Sequence, residues 1–207
     1  MPPEPLTLGF DTSAAHCAAA LLSGDSVIAE AFEPMQKGQA ERLMPLLEEV
    51  LAKGGTEWRD LTTLGVGIGP GNFTGIRISV SAARGLALAL GIPAVGVSRF
   101  EAEAVDMPRP IASLIDARRG QVYLQFLQHG GVEPPQMLLR ADADAMIAAR
   151  NVGAVGLEQS EPAVPLATGI ARLAQQRSSL NPGRPAPLYI RAVDAAPPRD
   201  PAPVILP

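Results

Sequence analysis

The sequence predicts an α/β protein, and three observations lead to that prediction. Short apolar runs alternate with longer segments of helical periodicity, and glycine or proline separates them. Hydrophobic residues make up 47% of the 207-residue chain, which is enough for the core of one domain or of two small lobes. The first half reads βββαβαβα, and its three opening strands, joined by tight turns, favour an antiparallel meander.

Each element of the first half has its own signal. The predicted ranges are Leu6–Phe10, His16–Gly24 and Ser26–Pro34 for the opening strands, Gln39–Lys53 for the first helix, Leu64–Ile68 for the fourth strand, Phe73–Leu90 for the second helix, and 93–98 and 99–105 for a further strand and helix. Leucine and valine at positions 43, 46, 47, 50 and 51 give the first helix one apolar face. Thr56 is expected to cap a short helical turn after that helix.

The second half is predicted to begin at residue 107. The expected elements are a hairpin around Asp116–Gly120, a helix at 141–151, a strand at 152–157, a last helix at 165–179 and a final strand at 186–195. The Pro-rich stretch 196–207 is expected to be poorly ordered. The chain thus divides into a first lobe, 1–106, and a smaller second lobe with a tail, 107–207.

Composition and charge exclude several classes of protein. A formal net charge of −4 opposes autonomous binding to a phosphate backbone. A single cysteine, Cys17, excludes an internal disulfide and fits a reducing compartment. The N-terminal stretch lacks the features of a signal peptide, and proline interrupts the most apolar segment before it reaches about 20 residues. We therefore expect a soluble, cytoplasmic protein with no membrane contact.

The segment GVGIGPGNFTGIR, residues 65–77, is the most distinctive motif. Its glycines fit neither the P-loop pattern, which needs a lysine after the last glycine, nor the dinucleotide pattern G-x-G-x-x-G. A strand, a tight turn and a helix start remain. Such a turn can attract an anion at the helix N-terminus, but close packing of strand on helix is the favoured reading. Arg77, one turn into the helix, is the residue expected to reach a partner or an anion.

Two further stretches are candidate sites. Asp11 ends the first strand, where actin-like kinases have an aspartate that holds a metal or a phosphate-bound water. Hydrogen bonding of Asp11 to the turn that follows the strand explains the residue equally well. Arg118 and Arg119 at the predicted hairpin tip could clamp a phosphate or carboxylate, or face solvent, which is the commoner case. Metal chemistry is not expected, because the two histidines, His16 and His129, lie far apart in sequence.

The two predicted helices of the first lobe are also candidates for partner binding. The first has one strong leucine face, and the second carries small residues on several faces, which would let another helix approach closely. The alternative is that both helices pack only on the sheet of their own lobe.

Five segments in order resemble the bacterial TsaB (YeaZ) family. They are LGFDTS, AERLMPLLEEVL, GVGIGPGNFTGIRISVSAARGLAL, GIPAVGVSRFEA and LIDARRGQVYLQF, so the resemblance covers residues 6–127. The family's signature loop corresponds to Gly69, Pro70, Gly71, Asn72, Phe73, Thr74 and Gly75.

The resemblance implies an actin-like, ribonuclease-H-like two-lobe fold with a βββαβα first lobe and a reduced second lobe. It also implies a non-catalytic subunit of the complex that transfers a threonylcarbamoyl group to adenosine 37 of tRNAs reading ANN codons. Such a subunit binds a TsaD-type catalytic paralogue, a TsaE-type ATPase joins the pair, and tRNA is met only through the complex. Alone, the subunit forms homodimers through the same surface.

The resemblance places the partner surface on the two helices of the first lobe. The expected interface residues are Leu43, Leu47, Arg77, Val80, Ala83, Arg84 and Ala87. No catalytic or metal-binding residue is expected, and ATP and metal are used by the partner subunits rather than bound by this chain alone. Gln39 stands where family members often have histidine, which agrees with a non-catalytic role. The alternative function is a small actin-like ATPase or phosphotransferase that uses Asp11.

Overall fold

The computed structural model describes residues 4–190, which form two five-stranded sheets and five helices. The strands are β1 (Leu6–Asp11), β2 (His16–Ser23), β3 (Ser26–Pro34), β4 (Thr63–Gly67), β5 (Ala94–Val97), β6 (Ile111–Arg118), β7 (Gln121–Gln128), β8 (Gly131–Val132), β9 (Gln136–Leu139) and β10 (Gly153–Val155). The helices are α1 (Gln39–Lys53), α2 (Phe73–Leu90), α3 (Arg99–Glu103), α4 (Arg140–Arg150) and α5 (Leu166–Arg177).

The first sheet has the strand order β3-β2-β1-β4-β5. The three opening strands form the predicted antiparallel meander, and β4 and β5 run parallel to β1. Helices α1 and α2 begin and end at the predicted residues. Both bury one face in a core that includes Leu8 and Phe10 of the central strand. This order, with helices on both faces, is that of a ribonuclease-H-like lobe, and a second, smaller sheet completes the two-lobe actin-like fold.

Helix α5 covers the opposite face of the first sheet, and this corrects the predicted division at residue 107. Small residues allow the close contact, because a Cβ atom at Gly9 or Gly65 would lie less than 3.0 Å from atoms of Ala171 or Ala174. The chain therefore returns to the first lobe after forming the second one. A boundary drawn along the sequence misses this return, since α5 carries no signal for which sheet it joins.

The second lobe centres on the β6–β7 hairpin, as predicted around Asp116–Gly120. Strands β8 and β9 both pair with β7 and were not predicted, while β10 runs parallel to β6. Thr56 is not the cap of the short turn Trp58–Asp60; Glu57 holds that position in a reciprocal capping box with Asp60. Residues 186–190 form no strand, and the rest of that predicted strand and the Pro-rich end lie outside the described residues.

Within residues 4–190, α2 alone has the length and apolar composition of a membrane-spanning helix. This is weak evidence for a membrane protein, because core helices of soluble proteins pass the same test. In this fold α2 packs against the first sheet through Ile76, Val80 and Ala83, which are all buried.

Candidate functional site

The glycine loop packs directly on the turn that follows β1. Asn72 N donates to Ser13 O at 2.6 Å, and Thr12 Oγ1 donates to Gly75 O at 2.7 Å. A Cβ atom at Gly71 or Gly75 would lie less than 3.0 Å from the carbonyl oxygens of Ser13 or Thr12. The protein backbone therefore fills the space that a phosphate would need between these two segments. Close packing, the favoured reading of the motif, is confirmed.

The same loop starts α2. The Asn72 side chain accepts a hydrogen bond from Gly75 N at 3.0 Å and so caps the helix. Arg99 N donates to Gly69 O at 2.8 Å, which ties the loop to the start of α3. The structure thus explains the glycines through contacts within the chain.

Arg77 is exposed, as predicted, but its side chain already has partners. The guanidinium carbon lies 3.8 Å from the centroid of the Phe73 ring, and Nε donates to the hydroxyl of Tyr189 at 2.9 Å. The Phe73 and Tyr189 rings stack at a centroid distance of 5.2 Å. Phe73 therefore joins the start of α2 to the C-terminal segment rather than anchoring the loop in the core, and Arg77 belongs to that junction.

Asp11 is buried and held by contacts within the chain, as the strand-end explanation has it, and its contact with a nucleotide stays a prediction. Its side chain is 1% exposed, and Oδ1 accepts hydrogen bonds from Ser13 N and Ser13 Oγ and pairs with His16 Nε2 at 2.8 Å. Its second oxygen, Oδ2, has no hydrogen-bond partner and lies against Gly67, where a Cβ atom could not fit. Burial alone would raise the pKa of Asp11, but the hydrogen bond and charge of His16 and the hydrogen bonds of Ser13 hold it below its usual value.

The pairing of Asp11 with His16 was not predicted from the sequence. The two residues are five positions apart, at the facing ends of neighbouring antiparallel strands, so the meander itself brings them together. A polar pair at facing strand ends is the signal that could have indicated it. Among residues 4–190, no three His, Cys, Asp or Glu side chains converge on a point that could hold a metal ion.

Four of the predicted interface residues face the core instead of the surface. Leu43, Leu47, Val80 and Ala83 are at most 3% exposed and belong to the core between the sheet and the two helices. The apolar spacing that marked them is the spacing of the sheet-facing side of each helix. Arg84 is exposed and Ala87 is half-buried, so these two remain on the accessible side.

Helix α2 has an exposed stripe at helical spacing, which we call the outer face of α2. Leu88 is 85% exposed, and no atom lies within 4 Å of a Cβ built at Gly85. The members of the outer face are Arg77, Ser81, Arg84, Gly85 and Leu88. On α1, the accessible side carries Met44 and the acidic residues Glu41 and Glu48. A groove of about 490 Å³ runs beside the outer face of α2, between Leu88 and the segment 182–185.

The hairpin tip faces a polar cleft between the two lobes. Arg118 and Arg119 both adopt left-handed backbone conformations, with φ of 65° and 53°. Arg118 lines the cleft, whose volume is about 390 Å³, whereas Arg119 is not among its lining residues. Both arginines are exposed, so the tip faces solvent, which is the commoner case, and Arg118 in addition borders the open cleft.

Comparison with protein families gives a match over more than half of the chain. A family model described as TsaD, tRNA N6-adenosine threonylcarbamoyltransferase, matches residues 32–148. The TsaB protein of Escherichia coli is 36% identical over 121 residues, covering 56% of this chain and 52% of that protein. The TsaB protein of Bacillus subtilis is 37% identical over 143 residues, covering 65% and 62%. Both are described as tRNA threonylcarbamoyladenosine biosynthesis proteins, and the chain spans between half and two thirds of their length.

Solved structures show the same likeness over nearly the whole chain. YeaZ from Pseudomonas aeruginosa is 25% identical with a TM-score of 0.69, and the match covers 89% of this chain and 99% of that one. A second Pseudomonas aeruginosa structure, described as an uncharacterized protein with similarity to peptidase YEAZ, is 27% identical with a TM-score of 0.73 and coverages of 90% and 100%.

Proposed function

The chain belongs to the TsaB (YeaZ) family, and from that premise we propose that it is a non-catalytic partner subunit in threonylcarbamoylation of tRNA. In this proposal it binds and activates a TsaD-type catalytic paralogue that modifies adenosine 37, and a TsaE-type ATPase joins the pair. ATP and metal are used by those partners, and tRNA is met through the complex. The protein acts in the cytoplasm as a soluble component.

The outer face of α2 is the observation that carries this proposal. A leucine that is 85% exposed, beside a glycine with open space above it, gives a long helix a sterically open patch that is bordered by the polar members of the outer face. Small and apolar residues at that spacing suit close packing against a helix of another subunit. The accessible side of α1 is acidic while the outer face of α2 carries Arg77 and Arg84, so the two helices offer charges of opposite sign to a related surface.

The position of Asp11 supports a non-catalytic role. Its carboxylate is committed to Ser13 and His16, and the glycine loop fills the neighbouring space. An ATPase or phosphotransferase would need that aspartate to reach a metal or a phosphate-bound water. No observation favours this alternative function over the subunit role.

Replacement of Leu88 by glutamate tests the proposal. The Leu88→Glu variant should lose co-elution with the TsaD-type paralogue of the same organism in size-exclusion chromatography, because the change places a charge at the centre of an apolar contact. Its far-ultraviolet circular dichroism spectrum should stay that of the wild type, since Leu88 is 85% exposed in the single chain and its replacement leaves the fold intact. Leu180→Glu is the matched control, because Leu180 is 73% exposed and lies in the short turn after α5.

The isolated chain should show the same dependence. We propose that it forms homodimers through the outer face of α2, so that the Leu88→Glu variant sediments as a monomer while the Leu180→Glu variant sediments with the wild type. Unchanged binding of the Leu88→Glu variant to the paralogue would remove the outer face of α2 from the proposed interface.

A further inference from the structure

We infer that residues 191–207 of this chain fold back onto the groove beside the outer face of α2, where the apolar residues at 204–206 cover Leu88. The groove has a volume of about 490 Å³ and lies between the last turns of α2 and the segment 182–185. Leu88 is 85% exposed in the described part of the chain, so the groove has an uncovered apolar side. The apolar residues that line it on this side are Ala87, Leu88, Ile92, Pro93 and Ala94.

The last described residues bring the chain close to this groove. The segment 182–185 lines the groove near the end of α2. Shortly after it, the Tyr189 ring stacks on Phe73 at the start of α2, at a centroid distance of 5.2 Å. Residue 190 therefore stands about 22 Å from Leu88, which is the rise of the intervening turns of α2. The chain between 190 and 204 can span about 45 Å when it is extended, so the apolar residues that follow can reach the groove.

The charges of the groove and of the segment also suit each other. Arg84 and Arg184 line the groove, both are exposed, and neither has a carboxylate within salt-bridge distance among the residues that the structure describes. Asp200 lies four positions before the apolar residues, so it comes within reach of Arg84 when they occupy the groove. Neighbouring side chains of an extended segment point to opposite sides, so Arg199 would then face solvent.

The composition of the segment suits docking in an extended form. Prolines at 197, 198, 201, 203 and 207 oppose helix formation and favour the polyproline conformation. Such a segment has less conformational freedom to lose on docking than a flexible one. Ile205, at the centre of the three apolar residues, is the expected main contact of Leu88.

Docking makes the segment an internal competitor for the outer face of α2. A subunit that packs on Leu88 must first displace residues 204–206, so the segment should weaken that association. This consequence rests on the proposed function, whereas the docking itself concerns one chain and can be tested without the paralogue.

Hydroxyl-radical footprinting of the full chain, read by mass spectrometry, tests the inference. Leu88 should be oxidised about 3-fold or more slowly in the wild type than in the Ile205→Glu variant, because only the undocked population exposes its side chain. Ala196→Glu is the matched control, since it adds the same charge to the segment away from its apolar residues, and it should keep the wild-type rate. Leu139, which is 56% exposed on β9 of the second lobe, should be oxidised equally in all three proteins.

Equal oxidation of Leu88 in the wild type and in the Ile205→Glu variant would overturn the inference, whether the common rate is fast or slow. A slow common rate would indicate that a second copy covers Leu88, which supports the proposed homodimer and removes the segment from the groove. Protection of Leu88 that disappears on dilution would also overturn docking within one chain. Continued binding of the Leu88→Glu variant to the paralogue would instead refute the proposed interface and leave the footprinting result unaffected.

Discussion

Replacement of Gly75 by alanine tests whether the glycine motif serves close packing. Gly75 lies in the first turn of α2, and an added methyl group would lie less than 3.0 Å from the carbonyl oxygen of Thr12. That oxygen belongs to the backbone, so the clash can be relieved only if the β1 turn moves away from the helix. The hydrogen bond from Thr12 Oγ1 to Gly75 O would then lengthen or break.

The expected cost follows from these contacts. Forcing an extra methyl group into a packed contact destabilises a protein by about 1–3 kcal/mol. Loss of the buried hydrogen bond adds about 1 kcal/mol, and the better helix propensity of alanine recovers at most about 1 kcal/mol. We therefore expect the Gly75→Ala variant to lose about 1–3 kcal/mol of unfolding free energy.

Urea unfolding followed by circular dichroism measures this change, and Gly85→Ala is the matched control in the same helix. No atom of the same chain lies within 4 Å of a Cβ at Gly85, so alanine there should stabilise the protein by about 0.5–1 kcal/mol through helix propensity when both variants are measured in the Leu88→Glu background, where the proposed homodimer contact is absent. The reasoning is refuted if Gly75→Ala is as stable as the wild type while Gly85→Ala gives its expected gain.

Three further predictions concern buried side chains. Burial, together with the charge of Glu33, raises the pKa of Cys17 to about 11. The thiol of Cys17 should therefore react with a disulfide reagent at pH 8 only as fast as the protein unfolds. Reaction at the rate of a free thiol would contradict this prediction. The pKa of Asp11 in the folded protein lies below its ordinary value of 3.8, so the ionised carboxylate stabilises the fold at pH values above 3.8, and this stabilisation is lost as the pH falls through the lowered pKa. In urea unfolding, the wild type should therefore lose more free energy of unfolding between pH 7 and pH 3 than the Asp11→Asn variant does. Leu47→Ala truncates a core side chain and should lower the free energy of unfolding by about 2–5 kcal/mol, whereas Met44→Ala, in the same helix and 37% exposed, should lower it much less. Equal losses of the two variants in thermal unfolding would contradict the burial of Leu47.

The sequence predicts the elements of the first lobe well, because each has a local cause. Apolar residues at helical spacing set the sheet-facing side of α1, and Asn72 and Gly91 mark the two ends of α2. These signals lie within a few residues of the element that they define, so they can be recognised in the sequence before the fold is known.

Tertiary placement was harder to predict, and the errors show why. Helix α5 is recognisable as a helix, but its position on the first sheet depends on the match between its alanines and Gly9 and Gly65, which are more than 100 residues away. The same limit applied to the partner surface. Apolar periodicity identifies the buried side of a helix, so it selected Leu43 and Val80, whereas the exposed Leu88 could be recognised only after the sheet was in place.

The candidate functional site, like the fold, could be predicted from the sequence only in part. The sequence excluded both nucleotide-loop patterns in GVGIGPGNFTGIR, but it could not show that Asp11 is bound by His16 or that Arg118 and Arg99 share one cleft. Those relations join separate elements of the chain, and they depend on strand register and on how the two lobes meet.

Transfer of the threonylcarbamoyl group to tRNA in a reconstituted reaction tests the central claim most directly. The mixture contains the TsaD-type paralogue, the TsaE-type ATPase, a threonylcarbamoyl donor, ATP and an unmodified tRNA from the same organism, with or without this chain. We predict that modified tRNA accumulates only when both the paralogue and this chain are present, and that Leu88→Glu lowers the yield in parallel with complex formation. Full modification without this chain, or modification by this chain without the paralogue, would contradict its role as a non-catalytic partner subunit.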